Sequence, residues 1–298
     1  MEEYCKTKRI GGYLKKINTH LDEIHLFSGN QLKIIALVLM VVEHFFKIFT
    51  IYIIHYYEPV YPNIIEIQDF AVRHLYRITA IAFPLFAFLL TEGFIHTHNR
   101  KKYMKSMLLF ALISELPFDI AFFSASSKRS GTFPFYFGYQ NIFFTLLISL
   151  FCLAVLETLP HCESGKSRKE NLKDFFLQAG VIVGLGAITE LLKCDYGFSG
   201  ILLISLLYLF HDNRFAQCLV YPALMIILNG EQPNIYTLIY CCLVLLYCGK
   251  RNFKKKTAAH PQLKYLVYAV YPCHLLIFAI LKLWGEANLF QSVSANKC

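Results

Sequence analysis

The chain has 298 residues, of which 56% are hydrophobic and 16% charged, and its mean hydropathy is +0.46. Apolar stretches of bilayer-spanning length recur along it, which excludes a water-soluble globular protein. The net charge of +9 does not indicate a nucleic-acid partner, because most basic residues sit in short segments between apolar runs, where they act as topology signals.

Residues 1–30 are too polar to supply the apolar core of a cleavable signal peptide and read as a cytoplasmic N-terminal segment. Within it Leu14, Ile17, Leu21 and Ile24 recur at helical spacing beside Lys15, Lys16, Asp22 and Glu23, the pattern of an amphipathic helix on the inner leaflet. Ser28 and Gln31 have capping-box spacing and predict a helix starting at about Gly29. Nine spans follow: 32–55, 75–96, 104–124, 140–159, 173–192, 196–211, 214–229, 233–249 and 263–285. The stretch Ile64–Phe70 is too short to span and reads as a re-entrant or interfacial outer segment.

The fold class is thus all-α and integral-membrane. A polytopic bundle fills residues 31–285, and a short tail follows over 286–298. With the N-terminus inside, twenty Lys and Arg fall on cytoplasmic segments or inner span ends, seven on outer ones, and Lys33 and Lys47 lie within the first span. That bias predicts a cytoplasmic N-terminus in a multi-pass protein of the cell membrane. The ten cysteines lack metal-ligand spacing, and Cys152, Cys218, Cys241 and Cys242 fall inside apolar helices as small hydrophobes; no metal is expected.

The polar residues inside the spans carry the functional signal. Lys33 and His44 are eleven residues apart, close to three helical turns, so they share a face about 16 Å apart along the axis. His55 continues the same stripe after eleven more residues. Counted from the inner ends, His44, Glu115 and His274 reach similar depths near the bilayer midplane. Ionisable groups at that depth are functional-site candidates, and three of them predict convergence on a cavity. The competing interpretation is paired polar groups that join helices.

Glu115 and Asp119 share one face of span three, which Pro117 kinks. Arg77 and Glu92 stand towards opposite ends of span two. Asn141 opens span four, and Asp195 occupies a tight outer turn where it serves equally well as a turn former. Tyr271 and His274 belong to span nine, and Glu43 points about 100° away from His44, within reach of Lys47 four residues on. A lysine near the inner surface can hold an anionic phosphate while an imidazole deeper in abstracts a proton or accepts an acyl group. A proton-coupled transporter with a His44–Glu115–His274 relay, or an assembly protein with no catalytic role, are the other classes these residues allow.

The run Leu32-Lys33-Ile34-Ile35-Ala36-Leu37-Val38-Leu39-Met40-Val41-Val42-Glu43-His44 resembles the opening of the TraX family. The likeness continues from Arg77 through Phe83-Pro84-Leu85-Phe86-Ala87-Phe88 to Glu92-Gly93-Phe94 and His98-Asn99-Arg100-Lys101-Lys102-Tyr103. Ser114-Glu115-Leu116-Pro117-Phe118-Asp119, Gln140 to Thr145, Asp195-Tyr196-Gly197 and Tyr271-Pro272-Cys273-His274-Leu275 extend it.

The resemblance implies a membrane acyltransferase of the bacterial inner membrane that carries an acetyl group from acetyl-CoA to an amine. The acceptor would be a peptide, a pilin-like protein, a sugar or a small amine. The basic residue, ten intervening residues and histidine of the related acyltransferase-three family are reproduced by Lys33 and His44. In the similar lysosomal heparan glucosaminide N-acetyltransferase the acting histidine aligns with His55, so the choice between His44 and His55 stays open, with depth favouring His44. The resemblance further implies that Lys33, Arg100, Lys101 and Lys102 meet the phosphates of acyl-CoA, without a metal. Glu115, Asp119, Asn141 and His274 would shape the acceptor side and tune the imidazole. A membrane homodimer would be in keeping with such a bundle.

Overall fold

A computed structural model describes residues 26–57, 66, 74–160, 165–249 and 263–295. Side chains are described for 26–50, 66, 74–160, 165–249 and 267–287. The expected amphipathic helix near residues 14–24 and, apart from Glu66, the segment Ile64–Phe70 lie outside the described residues.

Nine helices form the architecture among the described residues, with no strand beyond two isolated bridges. They are α1 (Gly29–Tyr57), α2 (Ala82–Ile95), α3 (Arg100–Ser130), α4 (Ile142–Thr158), α5 (Arg168–Leu191), α6 (Gly197–Leu209), α7 (Arg214–Leu224), α8 (Ile235–Leu245) and α9 (Leu263–Ala295). A π-helical turn, Met225–Asn229, extends α7, and a helical lead-in makes α2 part of one apolar helix from His74. Four helices are long and apolar enough to cross a membrane: His74–Ile95, Arg100–Ser130, Arg168–Leu191 and Val267–Ala287. Together with the shorter apolar helices, they make this a helical membrane protein. Helix α9 runs on to Ala295, beyond the expected end of the last span at 285.

Local chemistry sets the helix ends, at the start of α1 as the Ser28–Gln31 spacing predicts, whereas α3 extends beyond the expected span 104–124 at both ends and α5 starts before the expected 173. Gln31 Oε1 accepts from the Ser28 backbone N–H at 2.8 Å, while the Gln31 N–H donates back to Ser28 Oγ at 3.4 Å, so α1 begins at Gly29. Asn99 caps α3, and Gly131 ends it in the left-handed conformation that glycine adopts without steric penalty. Asn141 caps α4, and Ser167 forms a reciprocal capping box with Glu170 at the start of α5.

The packing order is what builds the site. Helix α9 lies against both α3 and α1, α1 packs on α2, and α4 sits between α3 and α6. Gly200 on α6 permits the α4–α6 approach, because a Cβ there would stand 2.8 Å from Thr145 Cγ2 and 3.3 Å from Phe83 Cζ. Helices α1, α3 and α9 thereby bring residues far apart in the chain to one middle layer.

Candidate active site

His44 lies fifteen residues after Gly29 and thirteen before Tyr57, near the middle of α1. Its Nδ1 is 2.7 Å from Nε2 of His274 on α9, and His274 Nδ1 is 2.8 Å from the carbonyl oxygen of Val270, one turn earlier. A carbonyl oxygen only accepts, so His274 Nδ1 carries a proton and its Nε2 presents a lone pair. His44 Nδ1 must then donate, which leaves His44 Nε2 as a basic nitrogen. The two rings lie 12° from coplanar with centroids 5.0 Å apart, the geometry of an in-plane hydrogen bond. His274 thus orients His44 as a carboxylate orients the histidine of a hydrolytic triad, except that the chain of bonds ends on a backbone carbonyl.

Aromatic rings enclose the pair. Phe122 on α3 meets His44 edge-on at 5.3 Å and Tyr271 does so at 5.8 Å. Phe278 packs edge-on against His274 at 5.5 Å, with Phe45 and Phe49 of α1 beyond it. These contacts hold the imidazoles in a largely apolar surround with few alternative hydrogen-bond partners, which favours a single ring orientation.

The carboxylates lie on α3, the helix that also carries Phe122. Glu115 is the central residue of this 31-residue helix, and Asp119 follows one turn later. Glu115 Oε2 accepts from the Asn141 backbone N–H at 3.2 Å and also from the Asn141 side-chain amide, which donates to the Ala111 carbonyl at 2.8 Å. Asn141 is fully buried and also caps α4 through Phe143 N–H at 3.0 Å. Asp119 Oδ2 accepts from Tyr136 N–H at 2.9 Å, so both carboxylates tie the 131–141 segment to α3. Glu115 therefore joins Asn141 rather than the imidazole pair, and the three ionisable groups expected to converge form two adjacent clusters.

The other expected site residues fall into distinct settings. Glu43 is 7% exposed and pairs with Lys47 at 2.7 Å, the partner predicted by their spacing. Tyr139 donates from its hydroxyl to Asp195 Oδ1 at 3.0 Å, while Thr145 donates to the Asp195 carbonyl. Asp195 N–H donates to the Gln140 carbonyl at 3.0 Å, so this turn is bound to the start of α4 on three sides. The adjoining Lys193 and Tyr196 have φ of 53° and 62°, backbone strain that these bonds hold in place.

At the opposite end, the Arg100 guanidinium pairs with Glu157 of α4 and lies 4.3 Å over the Phe94 ring. Lys101 and Lys102 are exposed beside it. Lys33 stands three turns before His44 on α1 and is half-buried. Glu92 is 3.6 Å from His96, and Arg77 is exposed in the lead-in to α2. His55 lies on α1, with its side chain outside the described ones.

Sequence reasoning missed Phe122, the Val270 carbonyl and Tyr136. Phe122 follows Asp119 by three residues and so shares its helix face, a signal available from spacing alone. The other two contribute backbone atoms, which residue identity does not reveal.

A sequence profile described as TraX protein matches residues 28–282 of the chain. A curated protein from Dichelobacter nodosus, described as a probable fimbrial assembly protein FimC of serogroup H1, is 24% identical over 275 residues. The matched region covers 87% of this chain and 97% of that relative. No solved structure matches the chain significantly.

Proposed function

The chain belongs to the TraX family, and on that premise we propose that it is an integral-membrane N-acyltransferase moving an acetyl or other acyl group from acyl-CoA to an amine. The observation that carries this reading is the Val270–His274–His44 chain of hydrogen bonds, which leaves His44 Nε2 as the basic nitrogen. A general base for amine acylation needs that arrangement: one nitrogen to take a proton and the other anchored so that the ring keeps its orientation.

Acyl-CoA enters from the cytosolic side, its phosphates met by Lys33, Lys101 and Lys102. Arg100, already paired with Glu157, anchors the start of α3 beside them. His44 Nε2 removes a proton from the acceptor nitrogen as that nitrogen attacks the thioester carbonyl. The C–N bond forms, the C–S bond breaks, and the imidazolium returns its proton to the departing thiolate. The positive charge gained in this step spreads over His44 and His274 through their 2.7 Å hydrogen bond.

The nine-pass arrangement with a cytoplasmic N-terminus in the inner membrane belongs to the same proposal, and the excess of basic residues on one side supports it. A pilin-like subunit is one acceptor to test, since the Dichelobacter nodosus relative is described as a fimbrial assembly protein. A transporter using a His44–Glu115–His274 relay draws less support, because Glu115 is bound to Asn141 and the described imidazole chain ends on a carbonyl.

Incubation of purified protein with radiolabelled acetyl-CoA and a panel of amines tests the reading. Wild type should label an amine, and His44→Ala should lower turnover by roughly two to four orders of magnitude. Full turnover by His44→Ala, with loss in His55→Ala, would move the base to His55.

A further inference from the structure

Two carboxylates near the middle of a membrane helix call for compensation, and among the described residues the groups that hydrogen-bond them are neutral. Glu115 and Asp119 are one turn apart on one face of α3. Their described hydrogen bonds come from the Asn141 amide, the Asn141 backbone and the Tyr136 backbone. No described lysine, arginine or histidine forms an ion pair with either. Asp119 is 1% exposed, and its Oδ1 is buried without a hydrogen-bond partner. A buried acceptor left unmatched is costly, and a buried carboxylate more so, unless a proton neutralises it or a ligand completes it.

The position of this pair relative to the imidazoles gives that vacant acceptor a use. Phe122 lies on the same helical face three residues beyond Asp119 and touches the edge of the His44 ring. Three residues are about 4.5 Å along the axis, so Asp119 stands within one turn of the ring that meets His44. Asn141 and Tyr136 come from the segment that closes the outer end of α3, so the carboxylates face the side opposite the basic Arg100–Lys102 cluster.

We infer that Glu115 and Asp119 form the receptor for the acyl acceptor in its protonated state, a primary alkylammonium ion whose N–H groups are taken by Asp119 Oδ1 and the carboxylate face of Glu115. This rests on the acyltransferase reading and adds to it that the enzyme selects its acceptor as a cation. The bound R–NH3+ first loses a proton through His44 Nε2 to water. The neutral amine then attacks the thioester, and the second proton shed as the C–N bond forms passes through His44 to the thiolate. The balance is an ammonium and a thioester giving an amide, a thiol and one released proton.

Asp119→Asn is the informative substitution, because an asparagine side-chain oxygen still accepts from Tyr136 N–H while the negative charge is lost. In the first arm, n-butylamine, a cation at neutral pH, competes with acetohydrazide, a neutral nucleophile. The ratio of kcat/KM for n-butylamine to that for acetohydrazide should fall at least about tenfold in D119N; an unchanged ratio overturns the inference.

The second arm needs no turnover. At constant ionic strength, n-butylammonium chloride should raise the melting temperature of the detergent-solubilised wild type more than sodium chloride or n-butanol does, and D119N should lose this effect. Equal stabilisation by sodium, or an undiminished effect in D119N, overturns the ammonium site. If the wild type acylates nothing, the acyltransferase reading falls while the melting arm still decides the site. Should D119N not fold, E115Q carries the same comparison, with a weakened n-butylammonium effect expected and an unaltered one overturning the inference.

Discussion

Replacing His274 with phenylalanine isolates the orienting hydrogen bond from the general base. The side chain keeps its ring and much of its volume, so the contacts to Tyr271 and Phe278 survive, but the acceptor 2.7 Å from His44 Nδ1 disappears. In the resting state His44 Nδ1–H is left unsatisfied in an apolar surround, a cost of about 1–3 kcal/mol. As His44 takes up a proton the lost bond is charge-assisted, worth about 1.5–3 kcal/mol. Only the excess of the second loss over the first slows the chemical step; an excess of about 0.5–2 kcal/mol, at about 1.4 kcal/mol per decade, lowers kcat roughly two- to thirtyfold. Because no described contact joins His274 to the lysines proposed to meet the phosphates or to the carboxylates of α3, KM for acyl-CoA should stay within about twofold of wild type.

Initial rates with labelled acetyl-CoA read both quantities. The two histidines act as a unit, so the His44→Ala/His274→Phe double variant should be no slower than His44→Ala alone. A His274→Phe protein with undiminished kcat would refute the orienting role. So would a double variant slower than His44→Ala by the full effect of His274→Phe, since independent losses would then multiply.

Asn141→Ala removes the α4 cap and two donors to buried acceptors together, and should lower stability in detergent by about 2–4 kcal/mol, measurable as a large drop in melting temperature. Gly200→Val should be worse tolerated than Gly200→Ala, because the first added carbon already stands 2.8 Å from Thr145 Cγ2; overpacking costs of about 1–3 kcal/mol or more predict poor yield of monodisperse protein. Arg100→Ala breaks a half-exposed ion pair and should cost less than about 1 kcal/mol, with little change in KM for acyl-CoA, whereas Lys101→Ala/Lys102→Ala should raise that KM several-fold. Equal KM effects in the two proteins would show that Arg100 leaves Glu157 to bind phosphate.

Much of this arrangement is legible before any coordinates. The Ser28–Gln31 pair predicts a start of α1 at about Gly29, and the i, i+4 spacing of Glu43 and Lys47 predicts their ion pair, because both are short-range geometry that a helix imposes on itself. Depth is also local: counting 1.5 Å per residue from the inner ends places His44, Glu115 and His274 in one layer. Which of them touch is another matter. His44 and Glu115 share that layer yet serve separate clusters, because α9 packs beside both α1 and α3 and delivers His274 to the first while α4 delivers Asn141 to the second.

The chain alone determined that this is a helical membrane protein with histidines and carboxylates at membrane depth. Hydrophobic run length, charge placement and helix periodicity are properties of consecutive residues. Only the tertiary structure decided that His274 is the partner of His44, that the Val270 carbonyl assigns their protons, and that Asp119 retains an unmatched oxygen near Phe122. Those facts depend on which helices are neighbours and on their rotation about their own axes. Both come from side-chain packing between segments up to 230 residues apart, which no spacing within one segment encodes.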